Sequence, residues 1–105
     1  MIDSFLLTLI LPQHISKDIQ EEIEEMKLLA NTLNYEIVHS DTQNKIKIDP
    51  STYFGKGKIN QIKNKLELLN VDTIFINDEI KPNHFKNIKK ILGDKINIID
   101  RTCLI

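Results

Sequence analysis

The sequence predicts an α/β fold: a small parallel sheet of four strands flanked by three helices, in the order β-α-β-loop-α-β-α-β. Three observations carry this. Phe5 to Leu11 is an almost unbroken apolar run, the pattern of a strand covered on both faces. Apolar residues then recur at spacings of three and four in three separate segments, marking amphipathic helices. Asn34, Asn70 and Gly93 follow those segments where a left-handed helix stop belongs, and a β-rich stretch comes directly after each. Short helix-to-strand connections of this kind give parallel strands joined by right-handed crossovers.

Taken in order, Phe5 to Leu11 forms the first strand, and its apolarity makes it central, giving the expected strand order 2-1-3-4. Ser16 is placed to cap the first helix, whose inner face is Ile19, Ile23, Met26, Ala30 and Leu33. Glu21, Glu22, Glu24 and Glu25 line mostly its solvent side. Tyr35 to His39 reads as the second strand, and the chain between His39 and Lys58 as a loop longer than such units ordinarily need. Long loops in compact domains tend to carry function. Ile59, Ile62, Leu66 and Leu69 mark the second helix, and Thr73 to Ile76 the third strand. Pro82 suits the first turn of the third helix, with Phe85, Ile88 and Leu92 on its inner face. Ile96 to Ile99 is the last strand, and Asp100 to Ile105 run off it with no helix stop or polar tail, as expected of a fragment.

A chain of 105 residues and 12.2 kDa supports one domain, residues 1–105, burying roughly two thirds of its unfolded surface. With 41% hydrophobic and 28% charged residues, three glycines and three prolines, it is neither disordered, fibrous nor mucin-like. The single Cys103 permits no intrachain disulfide and no cysteine pair for zinc, so a reducing compartment, the cytoplasm, is the expected location. The run from Phe5 is too short to span a bilayer, and it has neither a basic flank nor a small-residue cleavage site.

The net charge of −1 conceals an asymmetry: residues 1–41 hold two lysines against eight acids, and residues 42–105 hold twelve basic residues against seven acids. Lys45, Lys47, Lys56, Lys58, Lys63 and Lys65 face only Asp49 over their stretch, a density able to engage phosphates where the side chains share a surface. A solvated face is the plainer explanation. Gly55, Lys56, Gly57 and Lys58 sit just before the second helix, where backbone amides can approach a phosphate. They do not make a standard phosphate loop, which needs four residues between its glycines and Ser or Thr after the lysine, where Ile59 stands. Tyr53 and Phe54 beside them could offer an aromatic for base stacking, although core packing of at least one of the two is the expected role.

No catalytic residue or metal-ligand set stands out. His14, His39 and His84 lack ligand spacing, and Ser4, Ser16, Ser40 and Ser51 lack a nucleophile elbow. Asp78, Glu79 and Asp100 lie at strand carboxyl ends, where open α/β sheets place ligands, but capping and solvation explain them as well.

The string Asp49-Pro50-Ser51-Thr52-Tyr53-Phe54-Gly55-Lys56-Gly57-Lys58, with Thr42-Gln43 before it and Asp100-Arg101-Thr102 far downstream, resembles the N-terminal domain of the HflX family, ribosome-associated GTPases of the Obg-HflX group. The resemblance covers essentially the whole chain. It implies that a two-helix linker and a GTPase domain, neither present in these residues, follow this domain. It also implies GTP and Mg2+ for the full-length protein, with no cofactor in this chain. The partners it implies are the large (50S) ribosomal subunit with its rRNA, and the chain's own downstream helical and GTPase domains.

The residues matched to the RNA-docking role are Lys45, Lys47, Tyr53, Gly55, Lys56, Gly57 and Lys58, with Asp100, Arg101 and Thr102 as a structural motif. Three departures stand out: Asn44 and Lys45 where arginines usually follow the Thr-Gln pair, Lys81 where a serine commonly precedes the helix proline, and Cys103 for the common glycine. Lysine lacks arginine's bidentate fork, which weakens phosphate clamping in the long loop. Two alternatives stand beside this reading: a free-standing nucleotide-binding domain, and a structural module packing on the linker helices through Leu104 and Ile105.

Overall fold

The computed structural model describes residues 1–104, with side chains described through residue 102. The apolar end at Leu104 and Ile105 and the Cys103 thiol lie outside the described side chains. The elements are β1 (Ile2–Ile10), α1 (Ser16–Thr32), β2 (Tyr35–Asn44), α2 (Lys56–Leu69), β3 (Thr73–Ile76), α3 (Pro82–Leu92), β4 (Asn97–Ile99) and a closing 3-10 turn (Arg101–Leu104). The four strands form one sheet in the order β2-β1-β3-β4, every pairing parallel, as expected from the apolar first strand.

Alternation along β1 sends its residues to two separate cores. Phe5, Leu7 and Leu9 join Ile74 and Ile76 under Ile59, Ile62 and Leu66 of α2 and Ile88 and Leu92 of α3. Leu6 and Phe75 join Ile19, Ile23, Met26 and Ala30 of α1. One helix therefore covers one face of the sheet and two helices cover the other. Asn34 and Asn70 adopt φ of 67° and 54°, and Gly93 a φ of 102° with ψ of 161°, so all three helix stops read from the sequence have positive φ, Gly93 in an extended form that only glycine adopts readily.

Several details differ from the sequence reading: β1 runs Ile2–Ile10 rather than Phe5 to Leu11, and β4 starts at Asn97 rather than Ile96. Ile15, not Ser16, is the N-cap of α1, and no side chain caps it. Leu33 and Leu69 sit at helix ends and stay largely exposed. β2 runs on to Asn44, because its second half pairs with β1 as far as Ile10↔Asn44, so the loop shrinks to residues 45–55. And α2 starts at Lys56, which places Lys56, Gly57 and Lys58 inside its first turn.

Candidate nucleic-acid interface

The segment from Asp49 to Gly55 is built by local hydrogen bonding. Asp49 and Tyr53 exchange both backbone hydrogen bonds, closing a tight turn. The Asp49 carboxylate accepts the N–H groups of Ser51 (2.8 Å) and Thr52 (3.2 Å), which hold it below the usual carboxylate range. Tyr53 takes a φ of 65°, unusual for a bulky side chain and characteristic of a backbone held by its surroundings.

Those surroundings are long-range. The Tyr53 hydroxyl donates to the Asp78 carboxylate at the end of β3, and its ring meets that of His84 edge-on, with centroids 5.6 Å apart. Phe54 is fully buried in the core beneath α2 and α3. The Asn83 and Asn87 amides of α3 donate to the carbonyls of Pro50 (3.2 Å) and Ser51 (2.8 Å). Gly55 donates its N–H to Gln43 Oε1 at 3.0 Å, and a Cβ on Gly55 would come within 3.0 Å of the same amide. A larger residue there would press on the end of the Gln43 side chain, which would have to shift by a few tenths of an ångström. A Cβ on Gly57 would meet nothing within 4 Å, so close approach does not account for that glycine.

The candidate residues divide accordingly. Lys47 and Lys56 are exposed and Lys45 half-exposed. Lys58 is turned inward: its ammonium lies 3.0 Å from Asp41, which Lys65 also reaches at 2.6 Å. Tyr53 is only 6% exposed and Phe54 fully buried, so the expected core packing holds for both aromatics and removes Tyr53 from the surface candidates for base stacking. Of the seven candidates, the surface is left with the three lysines and the amides of the first turn of α2. Sequence reasoning misses Asp41, since only the register of β2 brings it opposite lysines 17 and 24 residues downstream.

Partial burial disfavours the Asp41 charge, yet the hydrogen bonds from Lys65 and Lys58 overcome it and hold the carboxyl at about 2, below the ordinary 3.8. A carboxylate lowered by folding stabilises the fold above its unfolded value and loses that contribution as pH falls through its folded one. The expected contribution is about 1–2 kcal/mol after solvent screening, complete above roughly pH 5 and fading between about pH 4 and 2. Urea titrations of wild type and Asp41→Asn check it: the stability gap seen at neutral pH narrows at about pH 3.

At the other strand ends, Asp100 is 2% exposed and accepts the Ile80 N–H at 3.1 Å. Arg101 reaches Glu22 (3.9 Å) and Glu25 (3.5 Å) of α1, and its N–H donates to the Asp78 carbonyl. Thr102 is exposed. The Asp-Arg pair thus ties the end of β4 to both sides of the sheet. Between β1 and β3, where the strand order reverses, the buried Thr8 hydroxyl and Asn77 amide have no hydrogen-bond partner among the described residues. Among the described residues, no three His, Cys, Asp or Glu side chains are grouped to hold a metal, and no helix is long and apolar enough to cross a membrane.

Residues 20–105 match the family model described as "GTP-binding GTPase N-terminal". Among curated proteins, the chain is 37% identical over 90 residues to the GTPase HflX of Caldanaerobacter subterraneus subsp. tengcongensis, covering 86% of this chain and 21% of that protein. With the GTPase HflX of Alkalihalophilus pseudofirmus it shares 34% identity over 89 residues, covering 85% of this chain and 21% of the relative. The chain therefore spans about a fifth of the length of the curated relatives it matches. Among solved structures it superimposes on a GTP-binding protein from Sulfolobus solfataricus in complex with GDP, with a TM-score of 0.68 and 26% identity, over 99% of this chain and 29% of that one.

Proposed function

The chain belongs to the GTP-binding GTPase N-terminal family and is similar to HflX proteins, and from that premise we propose that it is the accessory domain of an HflX-type GTPase, docking on large-subunit ribosomal RNA. In this reading it also restrains a downstream GTPase domain, reached through a helical linker, in a protein of the cytoplasm. GTP and Mg2+ belong to that downstream domain, because residues 1–105 hold no phosphate loop. The observation that carries the proposal is the family match combined with a rigid turn. Asp49 to Gly55 is fixed to β2, β3 and α3, so the adjoining Lys45, Lys47 and Lys56 are presented from an ordered base. Preorganised cations lose less entropy on meeting a phosphate backbone than cations on a free loop.

Salt-dependent binding to isolated large ribosomal subunits tests this. Lys47→Ala with Lys56→Ala is expected to weaken binding and to lower the slope of log affinity against log salt by about one to two units. An unchanged slope removes these lysines from the interface, and no binding by the wild-type chain removes the docking proposal itself.

A further inference from the structure

The lysines of α3 play no part in the turn just described. Lys86 and Lys90 are exposed one turn apart, with Lys81 before the helix and Lys95 after it. None of the four lies in an ion pair among the described residues, while Lys89 spends its ammonium on the Ile96 carbonyl at 2.8 Å. Like charges at i and i+4 repel each other, with Lys90 partly compensated by its place in the last turn of α3.

A shallow groove of about 470 Å3 runs along the same face, lined by Pro82, Phe85, Lys86, Lys89, Lys90 and Asp94. Phe85 packs partly against the core, and the surface it leaves uncovered lines this groove beside Lys86 and Lys90. We propose that the outer face of α3 binds single-stranded RNA, with Lys86 and Lys90 on phosphates and the Phe85 ring against an unpaired base. The partner chemistry follows from the two elements together. Lysines alone suit any polyanion, but a partly uncovered aromatic in the same groove favours a strand whose bases are free to stack.

Sidedness supports the assignment. α3 shares its face of the sheet with α2, and Asn83 and Asn87 fasten the 45–55 loop to it, so Lys47 and Lys56 belong to the same side. The exposed acids Glu21, Glu24 and Glu25 sit on α1, across the sheet. A polyanion is thus drawn to one side of this molecule and repelled by the other. The inference rests on the docking reading for RNA as the partner, but it names a different surface.

The experiment measures binding of the full chain to a fluorescent unstructured oligoribonucleotide, to the same length of RNA duplex, and to large ribosomal subunits, each over a salt series. Lys86→Gln with Lys90→Gln is expected to weaken single-strand binding roughly tenfold and to lower the salt slope by about one and a half units. Phe85→Leu is expected to erase the preference for single strand over duplex while leaving the slope in place. Circular dichroism verifies that each variant is folded. Oligonucleotide binding indifferent to the lysine pair overturns the proposal, as does a wild-type chain that binds duplex and single strand alike. Oligonucleotide binding that depends on Lys86 and Lys90, without subunit binding, keeps this proposal and defeats the docking one.

Discussion

Phe54→Ala is expected to lower the unfolding free energy by about 3–5 kcal/mol, the range for truncating a buried aromatic. The residue belongs by position to the connection between β2 and α2, and a loop residue ordinarily costs less than about 0.5 kcal/mol. Its environment decides otherwise. The ring is fully buried, packs edge-on against Tyr53 at 5.2 Å, and sits in one cluster with Leu7, Ile59 and Ile88. Three elements would face the resulting cavity, and a core closed by a sheet and two helices collapses poorly around a void. A domain of this size holds only about 5–15 kcal/mol in total, so the variant stands near its unfolding threshold. Thermal and urea melting measure the effect directly. A loss of under about 1 kcal/mol would mean that Phe54 merely covers the core and that the turn it anchors is peripheral.

Tyr53→Phe is expected to cost about 1.5–3 kcal/mol, the scale of a hydrogen bond to a charged acceptor, because it deletes the hydroxyl given to Asp78 and leaves the ring in place. Its pH dependence separates this bond from packing. Burial, together with the hydrogen bond to Asp78 and its charge, pushes the Tyr53 phenol well above the ordinary 10.0. A group raised by folding contributes fully below its unfolded value and loses that contribution as pH rises toward its folded one. The wild type should therefore lose stability above about pH 10 more steeply than the phenylalanine variant, whose ring at this position has no proton to release. Parallel losses for the two proteins in alkaline urea melts would show that the Tyr53 hydroxyl adds nothing.

Legibility in the sequence follows the range of the interaction responsible. The strand order follows from the apolarity of Phe5 to Leu11, and the helix stops at Asn34, Asn70 and Gly93 from single residues, because both are local signals. The far end of β2 is hidden. Its Ser40 to Asn44 carry no strand pattern of their own, and they are extended because β1 offers them a parallel partner. The same holds for the candidate interface. Glycine beside lysine at the start of α2 is visible as a motif, but Lys58 is indistinguishable from its neighbours until Asp41 arrives from another strand. Tyr53 is open to a ligand on paper until Asp78 and His84 enclose it. The exposed lysines of α3 are countable throughout, yet their meaning depends on a groove, an aromatic and a side of the sheet that only the fold supplies.

The central place of β1 has a consequence for the time before the fold exists. Both of its neighbours come later in the chain: β2 begins 33 residues after β1 does, as Ile2↔Tyr35 shows, and Phe5 waits for Ile74. Synthesis proceeds at about 5–20 residues per second, so the most apolar segment of the molecule spends several seconds in the exit path and beyond it without its second partner. No hairpin can shelter it, since parallel pairing closes only after an entire crossover has been made. The pairing of β1 with β3 therefore cannot begin until Ile74 has been made, which places completion of the sheet late in the synthesis of this domain.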